Sequence, residues 1–278
     1  MKLYFTEQDI DAAAQLIQKK TQIKPKVAVV LGSGLGHISD NLKQKTVIPY
    51  KEIPKWPLST VEGHAGNLAF GVFEKREVVF MQGRIHFYEG YPMQMIGFPI
   101  RVFQNLDIST IIMTNAVGAV NQSFEAGDLM IISDHISFLP MSGQNPLIGP
   151  NMDRYGPRFP DMSQCYDQQL IKIAEDIALE NGISLRKGVY FCLSGPNYET
   201  PADLKMINIL GGDVVGMSTV PEVIVARQGG TKVMGISVIT NKAKLDGSST
   251  TTHEEVIENS AKASAKLEIL VSKIINKI

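Results

Sequence analysis

The chain has 278 residues, 44% of them hydrophobic, with 27 Lys+Arg against 28 Asp+Glu and a formal net charge of −1. That length and apolar share can bury a large core, and the charge balance supplies no global field toward nucleic acid or a membrane surface. The opening Met1-Lys2-Leu3-Tyr4-Phe5-Thr6-Glu7 lacks a signal-peptide apolar run, no segment reaches membrane-span length, and Cys165, Cys192 and five scattered histidines show no metal or disulfide spacing, so a soluble cytoplasmic protein without a metal is expected.

Phe5-Thr6-Glu7-Gln8-Asp9-Ile10 predicts a helix start. Thr6 can cap it, Asp9 sits at the third helical position near the positive dipole end, and Phe5 and Ile10 are spaced as a hydrophobic staple. Val27-Ala28-Val29-Val30-Leu31 predicts a strand buried on both faces. It runs straight into Gly32-Ser33-Gly34-Leu35-Gly36, where glycines permit a sharp turn and Ser33 adds a hydroxyl. Such a nest of N–H groups suits an anion. No Gly-Lys-Ser/Thr follows, and position 37 is His37 where a dinucleotide fingerprint needs Gly. By itself the loop fits a tight strand-to-helix turn without a ligand equally well.

Residues 68–73 and 78–82 predict a hairpin around a charged turn at 74–77. From Met93 to Leu106, Ile96, Ile100, Phe103 and Leu106 recur near helical period, with a kink expected at Pro99. Residues 110–114 predict a buried strand closed by Asn115-Ala116-Val117-Gly118-Ala119, and 128–133 a further strand. Periodicity vanishes over 134–164, where Pro, Gly, Asn and Asp dominate; so long an irregular stretch reads as a binding or interface loop. Residues 167–181 form an amphipathic helix ended at Gly182. Then come a strand over 187–193, a helix opened by Thr200-Pro201, a short strand at 214–217, and a helix from Pro221 to Gly229-Gly230. A last strand spans 232–240, and Thr252-His253-Glu254-Glu255 has the capping-box pattern for a C-terminal helix. Strands and helices alternate without linker or repeat, which predicts one α/β domain with helices on both sides of a sheet that the hairpin makes mixed.

In such a fold function gathers in the loops leaving the strands' carboxyl ends. Gly83-Arg84-Ile85-His86-Phe87-Tyr88-Glu89-Gly90 follows one of them. Arg84 offers a planar fork for an oxyanion and His86 can donate to it, although Arg beside Tyr and Glu also fits a solvated loop. Asn115-Ala116 offers a backbone N–H beside a small side chain, or a turn that simply needs one. Glu199 either caps a helix or accepts from the N–H of a bound ring. Asn241 carries donor and acceptor together, which suits a ring with N and O side by side.

Gly32-Ser33-Gly34-Leu35-Gly36, Gly83-Arg84-x-His86-x-Tyr88-Glu89-Gly90, Thr114-Asn115-Ala116-x-Gly118, Gly195-Pro196-Asn197-Tyr198-Glu199-Thr200, Gly216-Met217-Ser218 and Thr240-Asn241-Lys242 occur in the order found in the trimeric class of purine nucleoside phosphorylases. The chain resembles that family over essentially its whole length. The resemblance implies a single-domain α/β/α sandwich, residues 1–278, around a mixed, partly barrel-like sheet. It implies reversible phosphorolysis of purine (2′-deoxy)ribonucleosides such as inosine and guanosine, in purine salvage, with phosphate as co-substrate and neither cofactor nor metal. Ser33, His64, Arg84, His86, the backbone N–H of Ala116 and Ser218 would then hold phosphate. Tyr198, Glu199, Met217 and Asn241 would hold the purine; Tyr198 stands where some members have Phe, which keeps the stacking. Tyr88, Met217, His253 and, from the neighbouring subunit of a homotrimer, Phe159 would contact ribose. His86, Glu199 and Asn241 would carry the catalysis. The alternatives are a relative preferring xanthosine or methylthioadenosine, and a nucleoside-binding module without catalysis. The methylthioadenosine-specific relatives carry Asp where this chain has Asn241, and mere binding would not need Ser, Arg and His converging beside a base-reading pair.

Overall fold

A computed structural model describes residues 4–61, 63–248 and 252–278; the side chain of His253 also lies outside the described set. The local start signals hold. Thr6 caps α1 (Glu7–Lys20): its hydroxyl accepts from the Asp9 N–H at 3.2 Å, and the Asp9 carboxylate accepts from the Thr6 N–H at 2.8 Å. β1 (Val27–Leu31) is buried at every residue, as its unbroken apolar run requires, and has parallel partners on both sides.

One of those partners belongs to a meander of β2 (Lys43–Pro49), β3 (Asn67–Phe73) and β4 (Arg76–Gln82). β3 and β4 are the expected hairpin, closed more tightly than the charge run suggests. Phe73 pairs with Arg76, and Glu74 and Lys75 both take positive φ, the twist a two-residue hairpin turn needs. β2 has no signal in the sequence: Lys43-Gln44-Lys45-Thr46 carries no apolar alternation, and pairing with β3 alone makes it a strand.

The helical period over 93–106 is split into α2 (Met93–Ile96) and α3 (Phe98–Asn105). The break is at Gly97, not the kink expected at Pro99. Pro99 lies in the first turn of α3, where its missing N–H costs nothing. β5 (Thr110–Ala119) corrects the expected end at Thr114: residues 115–119 continue the strand. β6 (Leu129–Ser137) likewise runs past 133, so the irregular stretch begins only at α4 (Phe138–Met141). α5 (Gln168–Glu180) is capped by Asp167, whose carboxylate accepts from the N–H groups of Gln169 and Leu170. β7 (Leu185–Cys192), α6 (Pro201–Ile209), β8 (Val214–Gly216), α7 (Val220–Gln228), β9 (Lys232–Lys242) and α8 (His253–Lys277) follow near their expected places.

The strand order is β2-β3-β4-β1-β5-β8-β7-β6-β9, and β9 returns to pair in parallel with β5 along nearly its whole length. β5, β8, β7, β6 and β9 therefore close on themselves, while β1 to β4 extend the sheet outward. Closure removes the free edges that so long a β9 would otherwise present. α1, α3 and α7 pack together as one helical group, and α5 with α8 as another. This is the α/β/α sandwich around a mixed, partly barrel-like sheet. A smaller apolar cluster of Val120, Phe191, Leu204, Ile207, Val215 and Ala243 seats α6 beside the mouth of the closed part.

Candidate active site

The loops leaving β1, β4, β7 and β8 and the ends of β5 and β9 surround one cavity of about 430 Å³. Two glycines make the approach possible. A Cβ on Gly32 would stand 3.0 Å from the Asn115 Cα and the Thr114 carbonyl oxygen, so only glycine lets β1 end this close to β5. The Gly32 N–H donates to Thr114 Oγ1 at 3.1 Å, and that hydroxyl donates to the Val30 carbonyl at 2.9 Å, which stitches the two strands where Ser33 leaves. Gly83, at φ +99°, has His64 where a Cβ would be.

His64 Nδ1 lies 2.7 Å from the Arg84 carbonyl oxygen and 3.2 Å from the Arg84 N–H; the shorter contact puts the proton on Nδ1, and Nε2 then accepts from Ser33 Oγ at 3.2 Å. Burial, helped by the neighbouring His86, lowers the His64 pKa to about 4, and the ring is neutral at pH 7. The Ser33 hydrogen must therefore turn away from His64 to serve an anion. His64 stacks on His86, and His86 on Tyr88, with ring centroids 5.4 and 4.8 Å apart.

His86 Nδ1 is 3.0 Å from Glu89 Oε1, and the same oxygen accepts from the His86 N–H at 2.7 Å. Burial raises the Glu89 carboxyl, but hydrogen bonds from His86 and Thr60 outweigh it and hold the pKa at about 2. Glu89 thus fixes the orientation of the His86 ring from its Nδ1 side.

Arg84 overturns the solvated-loop alternative: its side chain is 2% exposed. Its guanidinium is committed inward. Nη1 donates to Thr219 Oγ1 at 3.1 Å and faces Glu222 at 3.4 Å, while Nη2 donates to the carbonyls of Thr114 and Val30. Arg84 thus brings a positive charge to the cavity wall rather than an unengaged fork.

Tyr198, Glu199, Met217 and Asn241 line the same cavity. Glu199 is not the helix cap; Thr200 is, with Asp203 completing the capping box. Burial raises the Glu199 carboxyl above its ordinary value. Asn241 pairs in register with Gly118, just past the register shift between Val117 and Gly118, and Thr240 Oγ1 lies 3.1 Å from its Oδ1. Ser218 is held from behind: its N–H donates to Tyr190 Oη at 3.2 Å, and its carbonyl accepts from the Cys192 thiol. The β5 correction matters here, because Ala116 is presented by a strand rather than by a loop.

Ser33, His64, Arg84, His86, Tyr88, Ala116, Tyr198, Glu199, Met217, Ser218 and Asn241 therefore share one cavity. Phe159 does not: it is 88% exposed and borders a separate depression with Met141 and Met162. His253 opens α8, and its side chain is outside the described residues. Glu89, Thr219 and Glu222 were not singled out from the sequence. The spacing of Glu89, three residues after His86, is a local signal that could have found it; nothing local marks the other two. The sequence also hid a trio far from the cavity motifs. Asp134, His135 and Cys165 bring ligand-type atoms within 4.8 Å of one another, although burial keeps the thiol protonated with a pKa of about 11 and Tyr166 Oη lies 3.1 Å from His135 Nδ1.

The Phosphorylase superfamily model matches residues 26–276. Purine nucleoside phosphorylase 1 of Geobacillus stearothermophilus is 50% identical over 97% of this chain and 97% of its own. A crystal structure of Schistosoma mansoni purine nucleoside phosphorylase in complex with inosine superposes with a TM-score of 0.94 at 40% identity, covering 99% of both chains. A crystal structure of Schistosoma mansoni purine nucleoside phosphorylase in complex with adenosine gives 0.93 at 41% identity, covering 98% of this chain and 97% of that one.

Proposed function

The chain belongs to the phosphorylase superfamily and, within it, to the purine nucleoside phosphorylases, and we propose on that footing that its cavity carries out reversible phosphorolysis of inosine, guanosine and their 2′-deoxy forms in purine salvage. One observation carries the reading: an anion-donor cluster and a base-reading pair, Glu199 with Asn241, line the same cavity. Ser33, Ser218, His86 and the Ala116 N–H would place phosphate beneath C1′, with Arg84 supplying charge behind it and His64 beside Ser33. The C1′–N9 bond breaks as a phosphate oxygen bonds C1′, and the released electron pair goes to the purine. The phosphate dianion stabilises the ribosyl cation between them. Asn241 donates to N7 as charge builds there, ionised Glu199 accepts from N1–H, and Tyr198 stacks on the base. Tyr88, Met217 and His253 contact ribose. No metal or cofactor enters these steps.

A relative solved with adenosine bound shows that, in that protein, the shape of a 6-aminopurine nucleoside fits. Discrimination here is then electrostatic: adenosine lacks N1–H, and Glu199 would face an unprotonated N1. Asn241, where methylthioadenosine-specific relatives carry Asp, keeps that alternative second.

We further propose a homotrimer in which Phe159 reaches the ribose site of the adjacent copy. An aromatic side chain 88% exposed, in a depression with the exposed Met141, supports it. The whole chain, 1–278, acts as one catalytic domain in the cytoplasm; the unpaired buried thiols of Cys165 and Cys192 fit a reducing compartment. Hypoxanthine release from inosine, assayed with and without phosphate, tests the central reading. Release should require phosphate or arsenate, and equally fast hydrolysis in their absence would overturn it.

A further inference from the structure

Thr219 sits behind the proposed anion site in a conformation that needs explaining. It is fully buried, with φ +71° and ψ −54°, a region that β-branched residues rarely enter. That backbone places its hydroxyl among three polar side chains. Asn115 Nδ2 is 2.8 Å from Thr219 Oγ1, Arg84 Nη1 is 3.1 Å away, and Ser218 Oγ is 3.1 Å away on the cavity side.

The donor count decides the direction of each bond. A hydroxyl has two lone pairs and one hydrogen. The Asn115 amide nitrogen and the Arg84 guanidinium can only donate, so together they occupy both lone pairs. The Thr219 hydrogen must then be given away, and Ser218 Oγ is the acceptor within reach. Ser218 accepts it, which leaves the Ser218 hydrogen free to point into the cavity.

We propose that Thr219 is a positioning residue that fixes Ser218 as a hydrogen-bond donor toward the anion and couples it to the Arg84 guanidinium. The proposal rests on the anion-site reading above. It explains why a strained threonine stands where glycine would carry the same φ at no cost: glycine has no hydroxyl to hand on. It also contrasts the two serines. Ser33 gives its hydrogen to a neutral histidine, whereas Ser218 has its hydrogen turned outward by Thr219.

Steady-state kinetics with phosphate and inosine varied separately test this on wild type, Thr219→Val, Thr219→Ser and Thr219→Gly. Valine keeps the branched shape and loses the hydroxyl. Its KM for phosphate should rise about ten-fold or more, the scale of one lost hydrogen bond, while KM for inosine stays within about two-fold. Serine restores the hydroxyl and should recover most of the phosphate affinity. Glycine accepts the positive φ, so the same rise in phosphate KM there assigns the effect to the hydroxyl and not to backbone geometry. Should Thr219→Val fail to fold, Thr219→Gly against Thr219→Ser makes the same comparison. An unchanged phosphate KM in Val or Gly, with wild type saturating normally in phosphate, overturns the proposal alone. Wild type that needs no phosphate overturns it together with the anion-site reading.

Discussion

Arg84 Nη1 lies 3.4 Å from Glu222 Oε1 in a pair of side chains no more than 4% exposed, and the other Glu222 oxygen has no hydrogen-bond partner among the described residues. Arg84→Ala therefore has two costs. It removes charge from the proposed phosphate site, and it strands a buried carboxylate, which destabilises by about 3–5 kcal/mol in comparable sites. Arg84→Met combined with Glu222→Leu removes both charges and should recover most of the melting temperature. Its kcat/KM for phosphate should stay well below wild type, because the charge behind the proposed site is gone while the stability is restored. A double variant as unstable as Arg84→Ala would show that the ion pair is not the source of the instability.

The proposed pairing of Asn241 and Glu199 with the base predicts the substrate preference. Wild type should favour inosine and guanosine over adenosine strongly, toward the ~10⁴ discrimination of sites built around one buried hydrogen bond. Asn241→Asp supplies an acceptor for the 6-amino group and should raise the relative kcat/KM for adenosine. Equal efficiency on adenosine and inosine in wild type would refute the pairing.

Phe159 gives a test of assembly. Phe159→Ala and Glu199→Ala should each be impaired alone. Mixed oligomers of the two should recover activity above their sum, because some sites then hold a wild-type Phe159 from one copy and a wild-type Glu199 from the other. Verified mixed oligomers without recovery would count against a shared site.

Acid should destabilise the fold through His64 and His135. Burial lowers both His64 and His135 to about 4 from an unfolded value of 6.5. The unfolded chain therefore binds protons first as pH falls. The stability associated with each neutral ring is complete above pH 6.5 and is lost down to about pH 4, roughly 3 kcal/mol per ring. Thermal melts across that window should show a shallower decline for His135→Gln than for wild type. Parallel curves would mean His135 does not titrate as burial dictates.

What was legible from sequence is what acts over a few residues. Thr6 with Asp9, and Thr200 as the cap ahead of Pro201, span one to three positions, and both caps form. The all-apolar β1 could be satisfied only by burial on both faces. Each cavity motif follows or ends a strand, and that order placed Ser33, Arg84, His86, Glu199, Ser218 and Asn241 before any packing was known.

Tertiary pairing decided the rest. Asn115 to Ala119 read as a turn because their side chains are small, yet they are strand because β9 lies alongside them, more than a hundred residues away in sequence. The exposed polar β2 exists only as the partner of β3. Whether Arg84 faced solvent or the interior depended on α7 delivering Glu222 and Thr219 beneath it. The positive-φ backbone of Thr219 has no local signature, since threonine avoids that region on its own and holds it only where a network fixes its hydroxyl. Short-range hydrogen bonds and side-chain period belong to the sequence itself; strand partners, burial of charge and strain arise only once distant segments share the same few ångströms.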